Sequence, residues 1–216
     1  MMNTTFKSLV NVAGIFNFKD LFTFEGMILL LSGASVMAVF IAILLDFILF
    51  DKRLDFKRQK RSIVATGTMI AFFVVYYLVI LFKLGQLTID NGPLRRGLAV
   101  LGALMVAVGA GVNILGRFQL KSNWSNHIKI YEDQSLVTTG VYGIVRHPLY
   151  ASLMLMLLGG SLIYLNYLSA LLTLGVFIPF MHHRARLEEV LLAGQFKNYS
   201  EYKRKTGMFF PKLWRR

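Results

Sequence analysis

Four long stretches of this chain contain no charged residue and no histidine. Three of them, residues 26–45, 63–82 and 97–116, are 20 residues long. The hydrocarbon core of a bilayer is about 30 Å thick and an α-helix rises about 1.5 Å per residue, so about 20 apolar residues cross it. Each of these three stretches therefore predicts a transmembrane helix.

The fourth charge-free stretch, residues 148–181, is 34 residues long, which exceeds one ordinary span. Its middle contains Gly159 and Gly160, followed by Tyr-Leu-Asn-Tyr at 164–167. An asparagine between interfacial aromatic residues is typical of a tight turn at a membrane surface. We therefore expect a helical hairpin, with a single strongly tilted helix as the alternative. The predicted fold is an all-α integral membrane protein with about five transmembrane helices.

The charge balance is strongly basic, with 24 Lys and Arg against 11 Asp and Glu and a net charge of +13. In a soluble protein this excess would suggest nucleic-acid binding. Here charged residues make up only 16% of the chain, and the basic ones flank apolar stretches as the positive-inside rule describes. We therefore expect no nucleic-acid partner. The absence of cysteine excludes disulfides and thiolate chemistry.

The loop charges also predict an orientation in the membrane. Six Lys and Arg residues lie within residues 51–62, which predicts a cytoplasmic loop and an external N-terminus. Residues 117–147 and the basic tail 182–216 would then be cytoplasmic, and the membrane in a prokaryotic cell would be the inner (plasma) membrane. We divide the chain into an N-terminal three-helix membrane region, 1–116, and a C-terminal region, 117–216, that form one folded unit.

The third predicted helix contains small residues at four-residue spacing, namely Ala103, Ala107 and Gly111. Small residues on one helix face allow close helix packing in lipid, so we expect a packing seam on this face. Asn113 lies near the predicted cytoplasmic end and is expected to hydrogen-bond to a neighbouring helix. The glycines of this helix follow no strand, which excludes a dinucleotide-binding motif.

The polar residues cluster immediately before and after the predicted hairpin, in residues 136–150 and 184–189. A hairpin returns the chain to the membrane face from which it started. Residues about 40 positions apart are therefore expected to share one site. Charges that emerge directly from membrane helices beside a second polar cluster are functional candidates.

Pro148 suits the first turn of a helix, where its missing N–H has no intrahelical partner to lose. Arg146 and His147 would then stand at the positive end of the helix dipole, which attracts anions and favours a neutral His147. The Tyr150 hydroxyl is expected to reach the same pocket. In the alternative interpretation, Arg146 only reaches toward lipid headgroups and His147 only caps the helix.

Residues 182–205 are predicted to form an amphipathic helix that leaves the membrane, with Leu187, Val190 and Leu191 among its apolar positions. Arg184 and Glu188 are four residues apart and share one helix face. The alternative is a surface ion pair of little energetic consequence. The histidines and glutamates of this segment match no standard metal-ligand spacing, so we expect no metal site.

These pieces together resemble the isoprenylcysteine carboxyl methyltransferase family of integral-membrane enzymes and its phospholipid methyltransferase-like relatives. The resemblance covers the C-terminal ~100 residues, and its order and spacing around a charge-free hairpin make it specific. The matching pieces are Asn123-Trp124-Ser125, Leu136-Val137, Gly140-Val141-Tyr142, Arg146-His147-Pro148-Leu149-Tyr150, Arg184, Glu188-Glu189, Phe196, Tyr199-Ser200-Glu201-Tyr202, Thr206-Gly207 and Phe210-Pro211. Lys197 departs from the pattern, because many members have glycine after the phenylalanine.

The resemblance implies a membrane-bound methyltransferase whose cofactor is S-adenosyl-L-methionine and whose active site lies at the cytosolic end. It implies that Arg184, Arg146 and Glu188 are catalytic, with Arg184 on the methyl acceptor, Glu188 on the cofactor and Arg146 balancing nearby charge. The residues that it places at the cofactor are Gln134, Ser135, Leu136, Val137, Gly140, Tyr142, His147, Pro148, Leu149, Tyr150, Glu188 and Glu189.

The expected reaction is O-methylation of the carboxylate of a lipid-tailed, isoprenylcysteine-like acceptor that enters from the bilayer, while membrane lipids surround the helices. Three alternatives remain open. They are a phospholipid amine N-methyltransferase, an NADPH-dependent membrane reductase of similar shape, and a membrane protein without enzymatic activity. The first would not need an arginine on the acceptor. The last includes transporters, which usually place polar groups near the bilayer midplane, whereas the polar groups of this chain cluster at one predicted membrane face.

Overall fold

The computed structural model describes residues 23–50, 59–120 and 135–212. Gln134, the Asn123-Trp124-Ser125 motif and most of the predicted basic loop 51–62 lie outside the described residues. The α-helices are α1 (Phe24–Phe50), α2 (Gln59–Leu81), α3 (Gly92–Leu120), α4 (Pro148–Ile163), α5 (Tyr167–Leu172), α6 (Ile178–Gln195) and α7 (Tyr199–Lys205). A 3₁₀ turn (Gly140–Gly143) precedes α4, and a π-helical turn (Thr173–Phe177) joins α5 to α6.

The all-helical fold is confirmed for the described residues, which contain no strand. Two helices, over Phe24–Leu45 and Gly92–Leu120, are long and apolar enough to cross a membrane. Large apolar side chains lie on the outside of the molecule, for example Met37, which is 57% exposed, and Val108, which is 56% exposed. Water would make such a surface costly, whereas lipid tails solvate it. The structure therefore has the character of a membrane protein.

Helices α3 and α4 pack closely through glycines. A Cβ atom on Gly102 would lie 2.5 Å from the carbonyl oxygen of Gly159, and one on Gly109 would lie 2.9 Å from the carbonyl oxygen of Ser152. Gly116 continues the same face at a seven-residue interval. These glycines bring the two backbones together, as small residues do in membrane helix pairs.

The predicted seam at Ala103, Ala107 and Gly111 is therefore wrong in its register. Gly111 is exposed, and nothing would contact a Cβ atom there within 4 Å. The helix carries small residues on more than one face, so the four-residue spacing did not identify the face that meets α4. Ala103 is fully buried, but it lies beside this seam rather than defining it.

The predicted role of Asn113 is confirmed. Its side-chain nitrogen donates to the Ser152 hydroxyl at 2.8 Å, and its side-chain oxygen accepts from Nε of Arg117 at 2.8 Å. Asn113 is completely buried, so these bonds satisfy an amide that would otherwise be costly in an apolar interior. They fix α3 against the first turns of α4.

The predicted hairpin is also confirmed. Helix α4 ends at Ile163 and α5 begins at Tyr167, with Leu165 in the left-handed region at φ 47°. The buried side chain of Asn166 accepts from the backbone N–H of Ser169 at 2.8 Å and so caps α5. The asparagine that predicted the turn therefore also starts the returning helix.

The returning helix contains a π-helical turn because Pro179 lacks a backbone N–H and its ring disturbs the preceding turn. The N–H of Ile178 bonds instead to the carbonyl of Thr173. Phe177, which is 1% exposed, packs against Phe72 of α2 with ring centroids 4.9 Å apart. This contact places α2 beside the hairpin.

The tail differs from the predicted single helix over residues 182–205. Helix α6 runs from Ile178 to Gln195, the chain is extended at Phe196, and α7 begins only at Tyr199. Helix α6 also buries Met181, Ala185 and Glu189, whereas the predicted apolar face is exposed, with Val190 70% exposed. The inward side of this helix combines apolar residues with Glu189, because Glu189 pairs with Arg146 before α4.

Candidate active site

The base of the hairpin brings the two predicted polar segments together. The imidazole of His147 lies between the carboxylates of Glu188 and Glu189, with Nδ1 3.5 Å from Glu188 and Nε2 3.6 Å from Glu189. His147 is the residue before α4, and both glutamates lie on α6. The predicted shared site is thus formed by the two arms of the hairpin.

The backbone before α4 is held by the end of the tail. The N–H groups of Arg146 and His147 donate to the carbonyls of Gly207 at 2.8 Å and Met208 at 3.0 Å. Pro148 then occupies the first helical position and is completely buried, as its fixed φ and missing N–H predict. The tail therefore fixes the orientation in which Arg146 and His147 leave the chain.

The 3₁₀ turn that precedes Arg146 and His147 is itself positioned by a glycine, Gly140. Gly140 adopts φ +60° beside the side chain of Gln119, and a Cβ atom there would collide with the Gln119 amide group. Gln119 accepts the N–H of Val141 at 3.0 Å. Only glycine has access to this conformation at so short a distance. Sequence reasoning missed Gln119, because its partner is 22 residues away.

Arg146 and Glu189 form a buried ion pair. Nε of Arg146 donates to Glu189 at 2.7 Å, and Lys203 of α7 lies 2.7 Å from the other carboxylate oxygen. Arg146 also donates to the carbonyls of Lys203 and Thr206. The side chain of Arg146 is only 8% exposed and that of Glu189 only 4%, so Arg146 does not extend toward headgroups. The pair joins the base of the hairpin to the tail.

The basic side chains around Glu189 control the ionisation of its carboxyl group. Burial alone would raise the pKa of this carboxyl group, but His147, Lys203 and Arg146 beside it outweigh that effect and hold the pKa well below its usual range. Glu189 is therefore ionised at neutral pH. Lys203 was not among the predicted site residues, because its contact depends on the break between α6 and α7.

Glu188 has a different set of partners from its neighbour. It accepts the hydroxyl proton of Tyr150 and lies 3.5 Å from Nε of Arg184. That same Nε donates to the Tyr150 hydroxyl oxygen at 2.9 Å. The Glu188 side chain is 24% exposed, so one carboxylate of the Glu-Glu pair is enclosed while the other reaches the surface of the site.

The ring of Tyr150 organises this cluster. It stacks on the imidazole of His147 with centroids 5.6 Å apart and planes within 3°, and the guanidinium carbon of Arg184 lies 6.0 Å from its centroid. Aromatic stacking and cation–π attraction both favour this arrangement. Arg184, His147 and Glu188 therefore surround one aromatic ring.

The environment of His147 opposes the predicted preference for the neutral form. Burial favours the neutral imidazole, but Glu188 and Glu189 outweigh it and raise the pKa of His147 above its ordinary value. The prediction considered only the helix terminus, and the two carboxylates come from the distant arm. Nε2 is buried and has no hydrogen-bond partner among the described residues.

The remaining predicted cofactor residues lie around the 3₁₀ turn rather than in the carboxylate cluster. Ser135 is exposed, Leu136 and Val137 are half-buried, and Tyr142 is buried with its carbonyl accepting the Tyr202 hydroxyl at 2.8 Å. No described hydrogen bond or ion pair joins Leu136 or Val137 to the cluster. The Leu149 carbonyl faces α3 and accepts from Ser152 and Asn113.

Phe209 was also missed by sequence reasoning, although the neighbouring Phe210-Pro211 was noticed. Its ring lies 6.1 Å from His147 and 6.3 Å from His182, so the tail covers one side of the imidazole. Among the described residues, no group of three or more His, Asp or Glu side chains is arranged to hold a metal ion.

The fold and the site define a helical membrane protein with a charged, aromatic-lined cluster at the base of a helical hairpin. Residues 101–194 match the model of the "Isoprenylcysteine carboxyl methyltransferase (ICMT) family". The match confirms the resemblance predicted from the sequence, because this region is similar to members of that family. It contains α4, the hairpin turn and every residue of the cluster around Tyr150.

Individual relatives agree with this assignment. The chain is 33% identical over 145 residues to the protein-S-isoprenylcysteine O-methyltransferase of Saccharomyces cerevisiae. This match covers 65% of this chain and 61% of the yeast protein. It is 32% identical over 113 residues to a probable enzyme of the same name from Oryza sativa subsp. indica, and this match covers 51% of this chain and 59% of the rice protein. The cobalt-zinc-cadmium resistance protein CzcN of Cupriavidus metallidurans is 30% identical over 151 residues, 64% of this chain and 63% of that protein. The chain thus spans about three fifths of the length of these relatives.

Proposed function

We propose that this protein is an integral-membrane, S-adenosylmethionine-dependent methyltransferase that methylates the carboxylate of a lipid-tailed, isoprenylcysteine-like acceptor. The yeast and rice relatives are named as enzymes of this reaction. The observation that carries the proposal is the convergence of His147, Glu188 and Arg184 around Tyr150. These residues lie within the matched region.

The chemistry of the site fits a ligand that bears an ammonium group, hydroxyl groups and a sulfonium. His147 offers a buried nitrogen without a partner among the described residues, and Glu188 offers a carboxylate that reaches the site surface. The Glu188 carboxylate accepts from ammonium and hydroxyl groups. The raised pKa of His147 favours its protonated form, whose ring N–H groups donate to hydroxyl oxygens. The cofactor, when bound, supplies an activated methyl group.

We assign the cofactor contacts to Glu188, His147 and the loop before α4, including Gln134, Ser135, Leu136, Val137, Gly140 and Tyr142. A cavity of about 790 Å³ lies on the side of the 3₁₀ turn that faces α7 and is lined by Thr138, Gly143, Tyr202 and Thr206. Neither His147 nor Glu188 lines it, so the assignment depends on the contacts around Tyr150. Pro148 and Leu149 begin the helix that places the ring of Tyr150 against His147.

Glu189 and Arg146 act differently from the other charged residues. Because Arg146 and Lys203 already neutralise Glu189 in a nearly closed environment, the pair holds the tail against the hairpin rather than contacting a ligand. Arg146 is therefore a positioning residue, and it balances charge as the resemblance implied. The tail in turn keeps His147 oriented.

Arg184 is proposed to orient the acceptor. A carboxylate is ionised at neutral pH, so the site needs no general base, and orientation with exclusion of water is the main task of the protein. The guanidinium is fixed by Tyr150 and lies beside Met69 of α2, with Nη1 3.9 Å from the sulfur. An arginine held at an apolar wall suits an acceptor that joins a carboxylate to a hydrocarbon tail.

The membrane arrangement belongs to the same proposal. Five membrane helices, an external N-terminus and a cytoplasmic site would let the acceptor tail enter between helices and the cofactor enter from the cytosol. The boundary between residues 116 and 117 remains a proposed division of one folded unit. Basic loop residues on the cytoplasmic side are the physical basis of this orientation.

The test is a transfer assay with radiolabelled methyl donor on the purified full chain. Methylation of a prenylcysteine mimic with a free carboxylate, and not of its methyl ester, is the expected result. Transfer into amine headgroups of a lipid extract instead would favour the phospholipid N-methyltransferase alternative. Thermal stabilisation by NADPH but not by S-adenosylmethionine would favour the reductase.

A further inference from the structure

A second cavity lies at the end of the bundle opposite the candidate active site. It has a volume of about 600 Å³ and lies between the start of α1, the loop before α3 and the hairpin turn. We call it the distal cavity and define it by six of its lining residues, Glu25, Ile28, Lys83, Arg95, Arg96 and Ile163. Helix α4, with 16 residues, separates it from His147 by about 24 Å.

The charges of the distal cavity are unbalanced. Three cations, Lys83, Arg95 and Arg96, and one carboxylate, Glu25, line it, which gives a net charge of +2. Lys83, Arg95 and Glu25 form no ion pair with any described residue, and the contact of Arg96 is with the Phe24 ring at 6.0 Å. Cations that share a cavity repel one another, so an anion placed among them lowers the free energy of the site.

Hydrogen bonds hold the loop that follows Lys83 against the hairpin turn. Asn166 donates to the carbonyl of Leu84 at 2.9 Å, and the N–H groups of Leu87 and Tyr167 bond to the carbonyls of Leu165 at 2.8 Å and Gly85 at 3.0 Å. The loop before α3 is therefore hydrogen-bonded to the hairpin turn at Leu84, Gly85 and Leu87. A preformed site loses less conformational entropy when it binds a ligand.

Part of the wall of the distal cavity is apolar. Ile28 and Leu29 of α1 line it together with Ile163 of α4. The outer surface of α1 continues from that wall with exposed apolar side chains, including Leu30 at 48% and Leu31 at 47%. A ligand that occupied the cavity would therefore have cations at one end and a hydrocarbon-lined surface at the other.

We propose that the distal cavity binds the headgroup of a phospholipid of net negative charge, with its phosphate among Lys83, Arg95 and Arg96 and its acyl chains along α1. Three cations against one carboxylate favour an anionic headgroup over a zwitterionic one. The cavity lies at the end of apolar helices, where lipid headgroups are found. This site is separate from the methyl-transfer site and does not depend on the proposed activity.

The test is native mass spectrometry of the detergent-purified full chain with phosphatidylglycerol, phosphatidylcholine of the same acyl chains, and inorganic phosphate. We expect phosphatidylglycerol to be retained at least tenfold more tightly than phosphatidylcholine. The double variant Arg95→Gln/Arg96→Gln should lose roughly tenfold to thirtyfold in phosphatidylglycerol affinity, because each basic group near a lipid surface contributes measurably. The matched control Lys197→Gln/Lys212→Gln, which removes the same charge at the other end, should bind like the wild type.

A second variant protects the test against a loss of folding. Glu25→Gln removes the carboxylate from the cavity and should tighten phosphatidylglycerol binding a few-fold, which a damaged fold would not do. Equal retention of the two lipids, unchanged binding in the double arginine variant, or weaker binding in Glu25→Gln would overturn the proposal. Retention of inorganic phosphate as tightly as the lipid would overturn the assignment to a lipid.

Discussion

The imidazole of His147 and the carboxylate of Glu188 lie 3.5 Å apart, although a complete helical hairpin separates the two residues in the sequence. Tyr150 links them, because its ring stacks on His147 and its hydroxyl donates to Glu188. This arrangement connects the start of α4 to the second half of α6. It is the structural basis of the proposed cofactor and acceptor sites.

Replacement of Arg184 should separate acceptor binding from cofactor binding. In Arg184→Ala we expect kcat/KM for the acceptor to fall by about a hundredfold or more, because a misplaced carboxylate loses the benefit of orientation. Affinity for S-adenosylmethionine should stay within about threefold. Arg184→Lys should also be poor, since an ammonium group cannot replace the planar guanidinium.

The control for this experiment is Arg186→Ala, which removes an exposed arginine from the same helix. Its kinetics should match those of the wild type. Parallel losses of turnover and of cofactor affinity in Arg184→Ala would show that Arg184 does not act on the acceptor.

Two glycines of α3 provide a test of the packing against α4. Gly102→Ala should lower stability by about 1–3 kcal/mol, because its methyl group would meet the Gly159 carbonyl and force the helices apart. Gly111→Ala faces open space and should be neutral or slightly stabilising, since alanine favours helix. Thermal unfolding in detergent measures both. Similar effects of the two substitutions would contradict the observed register.

The lowered pKa of Glu189 predicts how the free energy of unfolding depends on pH. The folded state holds the pKa of this carboxyl group below its unfolded value of about 4.3, so its contribution is complete above that pH and disappears as the pH falls further. Glu189→Gln should therefore cost about 3 kcal/mol between pH 5 and 8, since it breaks a buried ion pair. The difference should shrink below about pH 4. Melting curves over this range check it, and a difference that vanished near pH 7 would contradict the assignment.

His147 should titrate above the ordinary value of about 6.5. A raised pKa means that protonation stabilises the folded state below about pH 6.5, and this contribution is lost as the pH rises through the folded pKa. NMR of ¹⁵N-histidine-labelled protein measures the titration directly. Glu188→Gln should lower the pKa of His147, whereas Glu201→Gln, which breaks only an exposed pair with Lys205, should not. An unchanged titration in Glu188→Gln would show that the two groups do not interact.

The sequence was most informative where a single physical requirement dominated. A 34-residue stretch without charge, interrupted by Asn166, has few solutions other than two helices and a turn, and the structure contains that hairpin. The buried amide of Asn113 likewise required partners, and Ser152 and Arg117 supply them. Requirements of this kind depend on local composition and are visible in the chain itself.

Other features depended on contacts between distant segments and could not be predicted locally. Helix α3 has small residues on several faces, so its sequence alone did not distinguish Gly102 and Gly109 from Gly111 as the packing surface. Lys203 joins Glu189 only because the chain breaks between α6 and α7. The ionisation of His147 was misjudged for the same reason, since both of its carboxylate neighbours come from the far arm of the hairpin.

The most direct test of the proposed site is calorimetric titration of the folded, detergent-purified protein with S-adenosylmethionine in the absence of any lipid acceptor. We expect binding at a single site, weakened at least tenfold in Glu188→Gln and unchanged in Glu25→Gln at the opposite end of the molecule. No binding by the folded wild-type protein, or equal binding by the wild type and Glu188→Gln, would contradict the proposed site.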